Sequence, residues 1–323
     1  MNVAVTGGTG FIGGHVLKRL VADGHRVTCL VLPGFPYEGV PGVTYHQGDL
    51  RKTDTLAGFL EGVQTIVHLA GLTKARTERE YFEVNADAVV RLLDAAAELS
   101  PSFSHVVAMS SLAAVGPTSD SRGICEDTPL NPISPYGRSK ARLEAVLKDR
   151  EDRTQWTVIR APGVYGPHDR DFLQYFKLIK KGWRFVIGKK NLMSLVYVKN
   201  LADAIATCVI LPAARNQVFF VADQGTYDWD DIGAMIEDCF QQRTRRVQVP
   251  YWAIHVVSLL SDLVSPFMRE APLLNRHKLA EMSQKNWVVS HEKVYTMLGY
   301  EPSTRTKDAL RETGEWYLAN GWI

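Results

Sequence analysis

Residues 6–14 read TGGTGFIGG, and this glycine-rich stretch decides the fold. It lies between a β-branched run, NVAVT, and an amphipathic segment that predicts a helix from about Phe11. Gly7, Gly10 and Gly13 recur at three-residue spacing. Glycine lets backbone approach a pyrophosphate closely, and the N-terminus of the following helix supplies N–H donors and a favourable dipole. The stretch therefore predicts a dinucleotide-binding turn.

Strand-like and helix-like segments alternate downstream of this turn. The strand-like runs are HRVTCLVL, GVTYHQG, QTIVHLA, FSHVVAMSS and WTVIRA, and a long helix is predicted from about Glu78 to Leu99. Such alternation is typical of βαβ units and a parallel sheet. We therefore predict an α/β fold of the Rossmann type, with a doubly wound parallel sheet of seven strands.

The pattern of predicted elements changes after Pro162, where longer loops with glycines and prolines separate shorter elements. We predict that residues 1–162 form an NAD(P)-binding Rossmann domain. Residues 163–323 are predicted to form mainly a smaller, discontinuous substrate-binding portion. The run NQVFFVA at 216–222 could return to the sheet.

Composition narrows the classes of function. The chain has 323 residues, 46% of them hydrophobic, and a net charge of +2 with scattered basic residues, so no nucleic-acid partner is expected. The run Arg243, Arg245 and Arg246 is interpreted as solvated surface. Four cysteines lie far apart without the spacing of a zinc site or a disulfide framework, so we predict no metal and a reducing compartment.

Two segments bear on where the protein works. NVAVT at 2–6 already reads as a strand and leaves no room ahead of it for a signal peptide, so we expect a cytoplasmic protein. Residues 251–268, YWAIHVVSLLSDLVSPFM, are nearly apolar but contain His255 and Asp262. They are too short and too polar for a transmembrane segment. We interpret them as a buried or lid helix, with contact to a membrane surface as the alternative.

A second motif, SPYGRSK at 134–140, places Tyr136 four residues before Lys140. In a helix these side chains share one face. Alone, the pair could be two solvated polar residues. A free tyrosine has a pKa of about 10, and a positive charge on the next turn favours its phenolate. With a dinucleotide bound nearby, the pair predicts general acid/base chemistry at Tyr136 that accompanies hydride transfer.

Taken in order, the motifs resemble those of the extended short-chain dehydrogenase/reductase superfamily. This group contains nucleotide-sugar epimerases, dehydratases and reductases similar to 3β-hydroxysteroid dehydrogenase and dihydroflavonol reductase. The resemblance covers nearly the whole chain. Its motifs here are TGGTGFIG, GDL with Asp49, HLAG at 68–71, Asn85 in the long helix, MSSLAAVG, YGRSK, and RAPGVYGP at 160–167.

The resemblance implies roles for individual residues. The implied catalytic residues are Ser111, which would hydrogen-bond the substrate oxygen, Tyr136 and Lys140. Lys140 would also hold the ribose hydroxyls of the nicotinamide. The implied cofactor-binding residues are Gly7, Thr9, Gly10, Phe11, Ile12, Gly13, Asp49, Leu50, Leu69, Ala70, Gly71, Asn85, Lys140, Pro162 and Val164.

The implied cofactor is NAD or NADP. In many dinucleotide folds an acidic residue at the end of the second strand holds the ribose 2′-hydroxyl, and an arginine there accommodates a 2′-phosphate. Val31 and Leu32 occupy these places, so the sequence leaves the preference open.

Three functions stay open at this point. The favoured one is a reductase or dehydrogenase acting on the carbonyl or secondary alcohol of a hydrophobic, steroid-like or polyketide-like small molecule, because the C-terminal part is rich in apolar and aromatic residues. The alternative is a nucleotide-sugar epimerase or dehydratase, although Met193 and Ser194 occupy the place of an arginine that grips the diphosphate in such relatives. The third is a dinucleotide-binding sensor without turnover.

The resemblance also implies a homodimer. Its interface would be a four-helix bundle made by the helix that carries Asn85 and the helix that carries Tyr136. Small side chains on the first of these helices would contribute to the contact: Ala86, Val89, Leu93 and Ala97.

Overall fold

The computed structural model describes residues 1–150, 154–187, 191–250, 281, 284 and 286–323. The apolar segment 251–268 lies outside the described residues, so its interpretation as a buried, lid or membrane-surface helix stays a prediction. Across the described ranges, no helix combines the length and the apolar character needed to cross a membrane.

Within these ranges the chain forms eleven strands, most of them short. They are β1 (Asn2–Thr6), β2 (Arg26–Val31), β3 (Val43–Gln47), β4 (Thr65–His68), β5 (His105–Ser111), β6 (Gln155–Ala161), β7 (Gly163–Tyr165), β8 (Trp183–Ile187), β9 (Leu195–Tyr197), β10 (Gln217–Phe220) and β11 (Arg245–Val249). Seven of them pair in parallel in the order β10-β6-β5-β4-β1-β2-β3. The predicted doubly wound parallel sheet is therefore confirmed. The count of seven strands before Pro162 is one too high, because the runs there supply six and the seventh is the returning strand β10.

The helices follow the strands as the sequence pattern predicts. They are α1 (Phe11–Ala22), α2 (Ala57–Leu60), α3 (Glu78–Phe82), α4 (Ala88–Leu99), α5 (Pro135–Lys148), α6 (Asp171–Lys180), α7 (Val198–Ile210), α8 (Trp229–Phe240), α9 (Glu292–Leu298) and α10 (Thr306–Ala319). One π-helical turn, Glu83–Asp87, joins α3 and α4 into the long helix that the sequence predicts.

Apolar side chains cover both faces of the sheet, as a parallel sheet requires. On one face α1 and α7 pack against the strands, with Val16, Leu20 and Leu201 fully buried. On the other face α2, α4 and α5 do so, with Leu92 and Leu143 fully buried. Because β1 is flanked by β2 on one side and β4 on the other, the chain order reverses there. Ligands of open α/β sheets bind outside the carboxyl ends of the strands at such a reversal.

The second half of the chain builds a further core beside this sheet. Two small parallel pairs, β8 with β11 and β7 with β9, combine with α6, α8 and α10. Tyr165, Phe176 and Tyr317 are fully buried at its centre. The boundary at residue 162 as a division between a cofactor domain and a substrate portion stays a prediction.

The prediction that four small side chains of the long helix lie at a subunit contact is wrong for three of them. Ala86, Val89 and Leu93 are fully buried inside the chain's own core against the sheet, whereas Ala97 is exposed. Helical periodicity could not separate the two faces of this helix, because both carry small apolar residues. Any contact between subunits through α4 must use its other face.

Candidate active site

The glycine-rich turn connects β1 to α1 and is packed too closely for side chains. Gly7 has a φ of +72°, and a Cβ on it would lie 2.5 Å from the backbone nitrogen of Ala70. A Cβ on Gly13 would lie 2.1 Å from the carbonyl oxygen of Gly7. Gly10 is exposed at the start of α1, and its N–H donates to the Gly7 carbonyl at 3.1 Å. The turn therefore presents backbone to a ligand at a helix N-terminus.

The other residues predicted for this turn have different surroundings. Thr9 is partly buried. Phe11 and Ile12 are partly buried too, and both pack against the core of the second half of the chain. Their side chains thus contact protein, and Val164 of β7 packs against the same core. Pro162 lies just before it and is partly buried.

The end of β4 forms the neighbouring wall of the crevice. Oγ1 of Thr6 and Nδ1 of His68 lie 2.8 Å apart in the buried sheet and fix the ends of β1 and β4 side by side. Leu69 and Ala70 are partly buried and Gly71 is exposed. These three residues therefore follow the glycine-rich turn along the carboxyl edge of the sheet.

At the far end of the crevice, beyond β3, Asp49 binds Arg51. The Arg51 Nε lies 3.0 Å from Oδ1 of Asp49 and Nη2 lies 2.7 Å from Oδ2. Hydrogen bonds from Arg51 hold the pKa of the Asp49 carboxyl below its usual range. Leu50 is buried beside it. Of the two positions predicted to govern cofactor preference, Val31 is buried in the core and Leu32 is 47% exposed.

Asn85 lies in the π-helical turn, a feature that often occurs at functional sites. Its Oδ1 accepts a hydrogen bond from the Leu72 N–H at 2.7 Å, and its Nδ2 donates to the Leu72 carbonyl at 3.0 Å and to Ser139 Oγ at 2.9 Å. Asn85 is fully buried. It therefore ties the loop after β4 to α5.

Lys140 reaches the same point from α5. Its Nζ donates to the carbonyl oxygen of Met109 at 2.9 Å, and a Cβ on Gly71 would lie 3.2 Å from that Nζ and 3.0 Å from Oδ1 of Asn85. Burial lowers the pKa of Lys140 to about 8, and the negative charge of Glu144 opposes the shift. Gly71, Asn85 and Lys140 thus converge on one spot.

Tyr136 and Ser111 face this spot from adjoining elements. Ser134 caps α5 by accepting from the Gly137 N–H at 3.1 Å, and a Cβ on Gly137 would lie 2.2 Å from the Ala113 carbonyl oxygen. This close approach sets Tyr136 beside Ser111. Burial raises the pKa of Tyr136 to about 12, while a hydrogen bond with the Ser111 hydroxyl lowers it and the charge of Glu281 raises it further.

Comparison with known proteins agrees with this geometry. A model of the NAD dependent epimerase/dehydratase family matches residues 3–221. The chain belongs to this family. The resemblance found in the sequence is therefore confirmed, and with it the use of NAD or NADP at the level of the family.

Relatives across the family have different named activities. The chain is 25% identical to a ceramide reductase of Caulobacter vibrioides, over 99% of this chain and 96% of that protein. It is also 25% identical to a decarboxylating sterol-4-alpha-carboxylate 3-dehydrogenase of Schizosaccharomyces pombe, over 98% and 97%. Its fold matches the structure of a Thermus thermophilus UDP-glucose 4-epimerase in complex with NAD, with a TM-score of 0.79, 20% identity, and coverage of 98% and 99%.

The residues present in this family member fit a dinucleotide. The turn around Gly7 and Gly13 excludes side chains, as a pyrophosphate site requires, and Asn85 and Lys140 converge beside Gly71. In the described part of the chain, histidines, cysteines and carboxylates nowhere form a group of three suited to a metal ion.

Sequence reasoning missed two features of the site. The ring of Tyr81 lies 6.1 Å from that of Tyr136, and its hydroxyl donates to the Thr73 carbonyl at 3.3 Å, so Tyr81 forms one wall of the site. Below the site, Glu144 accepts hydrogen bonds from Ser110 at 2.6 Å and from Arg160 at 2.8 and 3.0 Å. The spacing of Lys140 and Glu144, four residues apart on one helix face, was the available signal for the second.

Proposed function

We propose that the protein is an NAD(P)-dependent reductase or dehydrogenase that interconverts a carbonyl and a secondary alcohol on a hydrophobic small molecule. The convergence of Tyr136, Ser111 and Lys140 next to Gly71 and Asn85 supports this proposal. A sensor without turnover would have no need for an acid/base pair at the same edge of the sheet as the glycine-rich turn.

Bound NAD(P) supplies the hydride donor or acceptor. Tyr136 would donate a proton to the carbonyl oxygen in reduction, or accept one from the alcohol in oxidation. Because burial raises its pKa to about 12, Tyr136 holds its proton at neutral pH, which is the state that reduction requires. Ser111 would donate a hydrogen bond to the same substrate oxygen, and a charged Lys140 would stabilise the phenolate that forms.

The environment of Ser194 supports an apolar substrate over a nucleotide sugar. Ser194 is 2% exposed, and its Oγ accepts a hydrogen bond from the Val289 N–H at 3.2 Å. Met193 is paired with Tyr227 through two backbone hydrogen bonds of 2.8 and 2.9 Å. The place expected for a diphosphate-binding arginine is thus occupied by Met193 and Ser194, which hydrogen-bond to other segments of the chain. A ceramide and a sterol, which the names of two relatives specify, are largely apolar.

Two further proposals, on the substrate pocket and on the location of the protein, accompany this function. We propose that residues 163–323 supply most of the substrate pocket, since their core contacts Phe11 and Ile12, which directly follow Gly10 of the glycine-rich turn. We also propose a cytoplasmic location, because Cys29, Cys125, Cys208 and Cys239 are all free thiols, as a reducing compartment favours.

Replacing Tyr136 by Phe tests the acid/base role. The purified Tyr136→Phe protein should bind NADH nearly as well as the wild type, while hydride transfer falls by about 10²–10⁴. Tyr295→Phe is the matched control, because it also removes a single tyrosine hydroxyl, one that donates to the Ala222 carbonyl at 3.4 Å and has no predicted catalytic or cofactor role. Unchanged turnover in Tyr136→Phe would remove the assignment.

A substrate panel separates the two enzymatic alternatives. Nicotinamide absorbance is followed with hydrophobic ketones and alcohols in one set and with UDP-sugars in the other. Net oxidation or reduction with the first set supports the proposal. Conversion of a UDP-sugar without net change in nicotinamide absorbance would instead establish an epimerase, because an epimerase returns the hydride to its substrate.

A further inference from the structure

The small sheet of β8 and β11 carries an apolar face that no described element covers. The register pairs Trp183 with Arg245 and Phe185 with Val247, so these four side chains lie on one face of the two-stranded sheet. Trp183 is 41% exposed, and its ring stacks on Phe185 with centroids 6.4 Å apart. Neither ring packs against the core clusters formed by the described residues. We call this surface the Trp183 face.

The opposite face of the same sheet packs against α8. Arg184 forms ion pairs with Asp230 at 3.3 Å and Glu237 at 3.4 Å, and a Cβ on Gly233 would lie 2.5 Å from its Cδ. Val186 is buried there. The sheet therefore has one face that packs against α8 and one face on which Trp183 is exposed and Phe185 and Val247 are half-buried.

Cations lie on the Trp183 face and at the chain ends beside it. Lys180 and Lys181 immediately precede β8, Arg243 precedes β11, and the Arg245 N–H donates to the Gly182 carbonyl at 2.8 Å, which brings the two groups together. All four cationic side chains are exposed. In the part of the chain that the structure describes, none of the four has an ion pair or a side-chain hydrogen bond. Of the three arginines interpreted as solvated surface, Arg246 differs from the other two because it forms an ion pair with Asp230 at 3.0 Å.

Among the residues that the structure describes, the carboxylates next to this sheet do not neutralise these cations. Asp230 and Glu237 are occupied by Arg184, and Asp238 pairs with Lys307 at 2.7 Å. Four unpaired positive charges therefore flank an exposed indole. Indole rings favour the headgroup level of a bilayer, and cations beside them attract anionic lipids.

We propose that the Trp183 face docks the protein reversibly on an anionic lipid surface, with Trp183 at the headgroup level and Lys180, Lys181, Arg243 and Arg245 against lipid phosphates. This docking does not depend on the catalytic site. A protein that binds such a surface but transfers no hydride would leave the docking surface in place and refute only the proposed activity.

Binding to lipid vesicles tests the proposal. Full-length protein is sedimented with vesicles of phosphatidylglycerol and phosphatidylcholine in equal parts, and with vesicles of phosphatidylcholine alone. We expect binding to the anionic vesicles that weakens as salt is added. The double variant Lys181→Glu with Arg245→Glu should bind at least about tenfold more weakly, since each cation near such a surface contributes about 1 kcal/mol, or fivefold. Trp183→Gln should bind about threefold or more weakly.

Matched variants separate this surface from net charge. Lys18→Glu with Arg26→Glu changes the charge by the same amount at exposed positions outside the Trp183 face and should bind within about twofold of wild type. Brominated lipids should quench tryptophan fluorescence in the wild type more than in Trp183→Gln. Equal binding to neutral vesicles, equal loss in the control variant, or tighter binding to duplex DNA than to anionic vesicles would overturn the proposal.

Discussion

Gly13 and Gly14 are neighbours in α1, yet only one of them has no room for a side chain. A Cβ on Gly13 would lie 2.1 Å from the Gly7 carbonyl oxygen, whereas a Cβ on Gly14 would meet nothing within 4 Å. We expect Gly13→Ala to weaken NADH binding by more than about tenfold and to destabilise the fold by about 1–3 kcal/mol, because backbone must shift. Fluorescence titration and urea unfolding measure the two effects.

Gly14→Ala is the internal control for that prediction. Alanine in a helix is favoured over glycine by about 0.5–1 kcal/mol, so Gly14→Ala should raise the free energy of unfolding and leave NADH binding unchanged. Equal NADH affinities for the two variants would show that close approach at Gly13 does not shape the site.

Burial of Lys140 is expected to lower the stability of the fold, although the proposed reaction needs this residue. Its pKa falls from 10.5 to about 8 in the folded protein because burial disfavours the ammonium. Below about pH 8 folding must therefore bury a charge, and this cost disappears as the pH rises through the interval from 8 to 10.5. Lys140→Met should thus stabilise the protein by about 1–3 kcal/mol at neutral pH while abolishing hydride transfer.

Urea unfolding of Lys140→Met and wild type at about pH 7 and about pH 10 checks the sign. The difference in the free energy of unfolding should shrink at the higher pH. Lys148→Met, on the exposed face of the same helix, should show almost no difference at either pH. The same gain for Lys140→Met at both pH values would contradict the burial argument.

At the scale of elements, sequence was sufficient where a pattern is local. The alternation of β-branched runs and amphipathic segments predicted the start of α1 at Phe11 and the long helix from Glu78 to Leu99. It did not reveal the π-helical turn around Asn85, whose side chain bonds to Leu72 and Ser139, residues distant in the sequence. Which face of α4 lies inward was also undetermined, since apolar side chains occur on both.

The buried pair of Glu144 and Arg160 is another feature beyond the reach of local patterns. It joins α5 to β6, and Ser110 of β5 donates to the same carboxylate, directly beside Ser111. Both side chains are at most 2% exposed. Glu144→Gln leaves Arg160 with an uncompensated buried charge and should cost about 3–5 kcal/mol.

Replacing both partners tests whether the pair itself stabilises the fold. Glu144→Met with Arg160→Met removes both charges and should be clearly more stable than Glu144→Gln, although Ser110 loses an acceptor at a cost of about 1–3 kcal/mol. Urea unfolding gives the coupling between the two positions. Additive losses in the double variant would mean that the two charges do not interact strongly.

At the scale of the whole molecule, the cofactor crevice lies at the carboxyl edge of the sheet. The outward faces of α4 and α5 lie on one side of the sheet, away from this edge. The outward face of α4 combines the half-exposed Val90 with the exposed Asp94 and Ala97, and α5 presents Ala141 and Ala145, both half-exposed. Small side chains let helices approach closely, as the four-helix bundle implied by the sequence resemblance would require. We therefore propose that the protein forms a twofold dimer through these faces rather than through Ala86, Val89 and Leu93.

Val90→Asp tests this interface. A carboxylate there would meet its own symmetry mate or apolar surface on the partner, so the variant should be monomeric by light scattering at concentrations where the wild type is dimeric. NADH affinity should be preserved, because Val90 does not line the crevice. Ile210→Asp places the same charge at a 48% exposed position on the other layer of the sheet and should stay dimeric. A monomeric wild-type protein, or a Val90→Asp variant that remains dimeric, would rule out this face as the subunit contact.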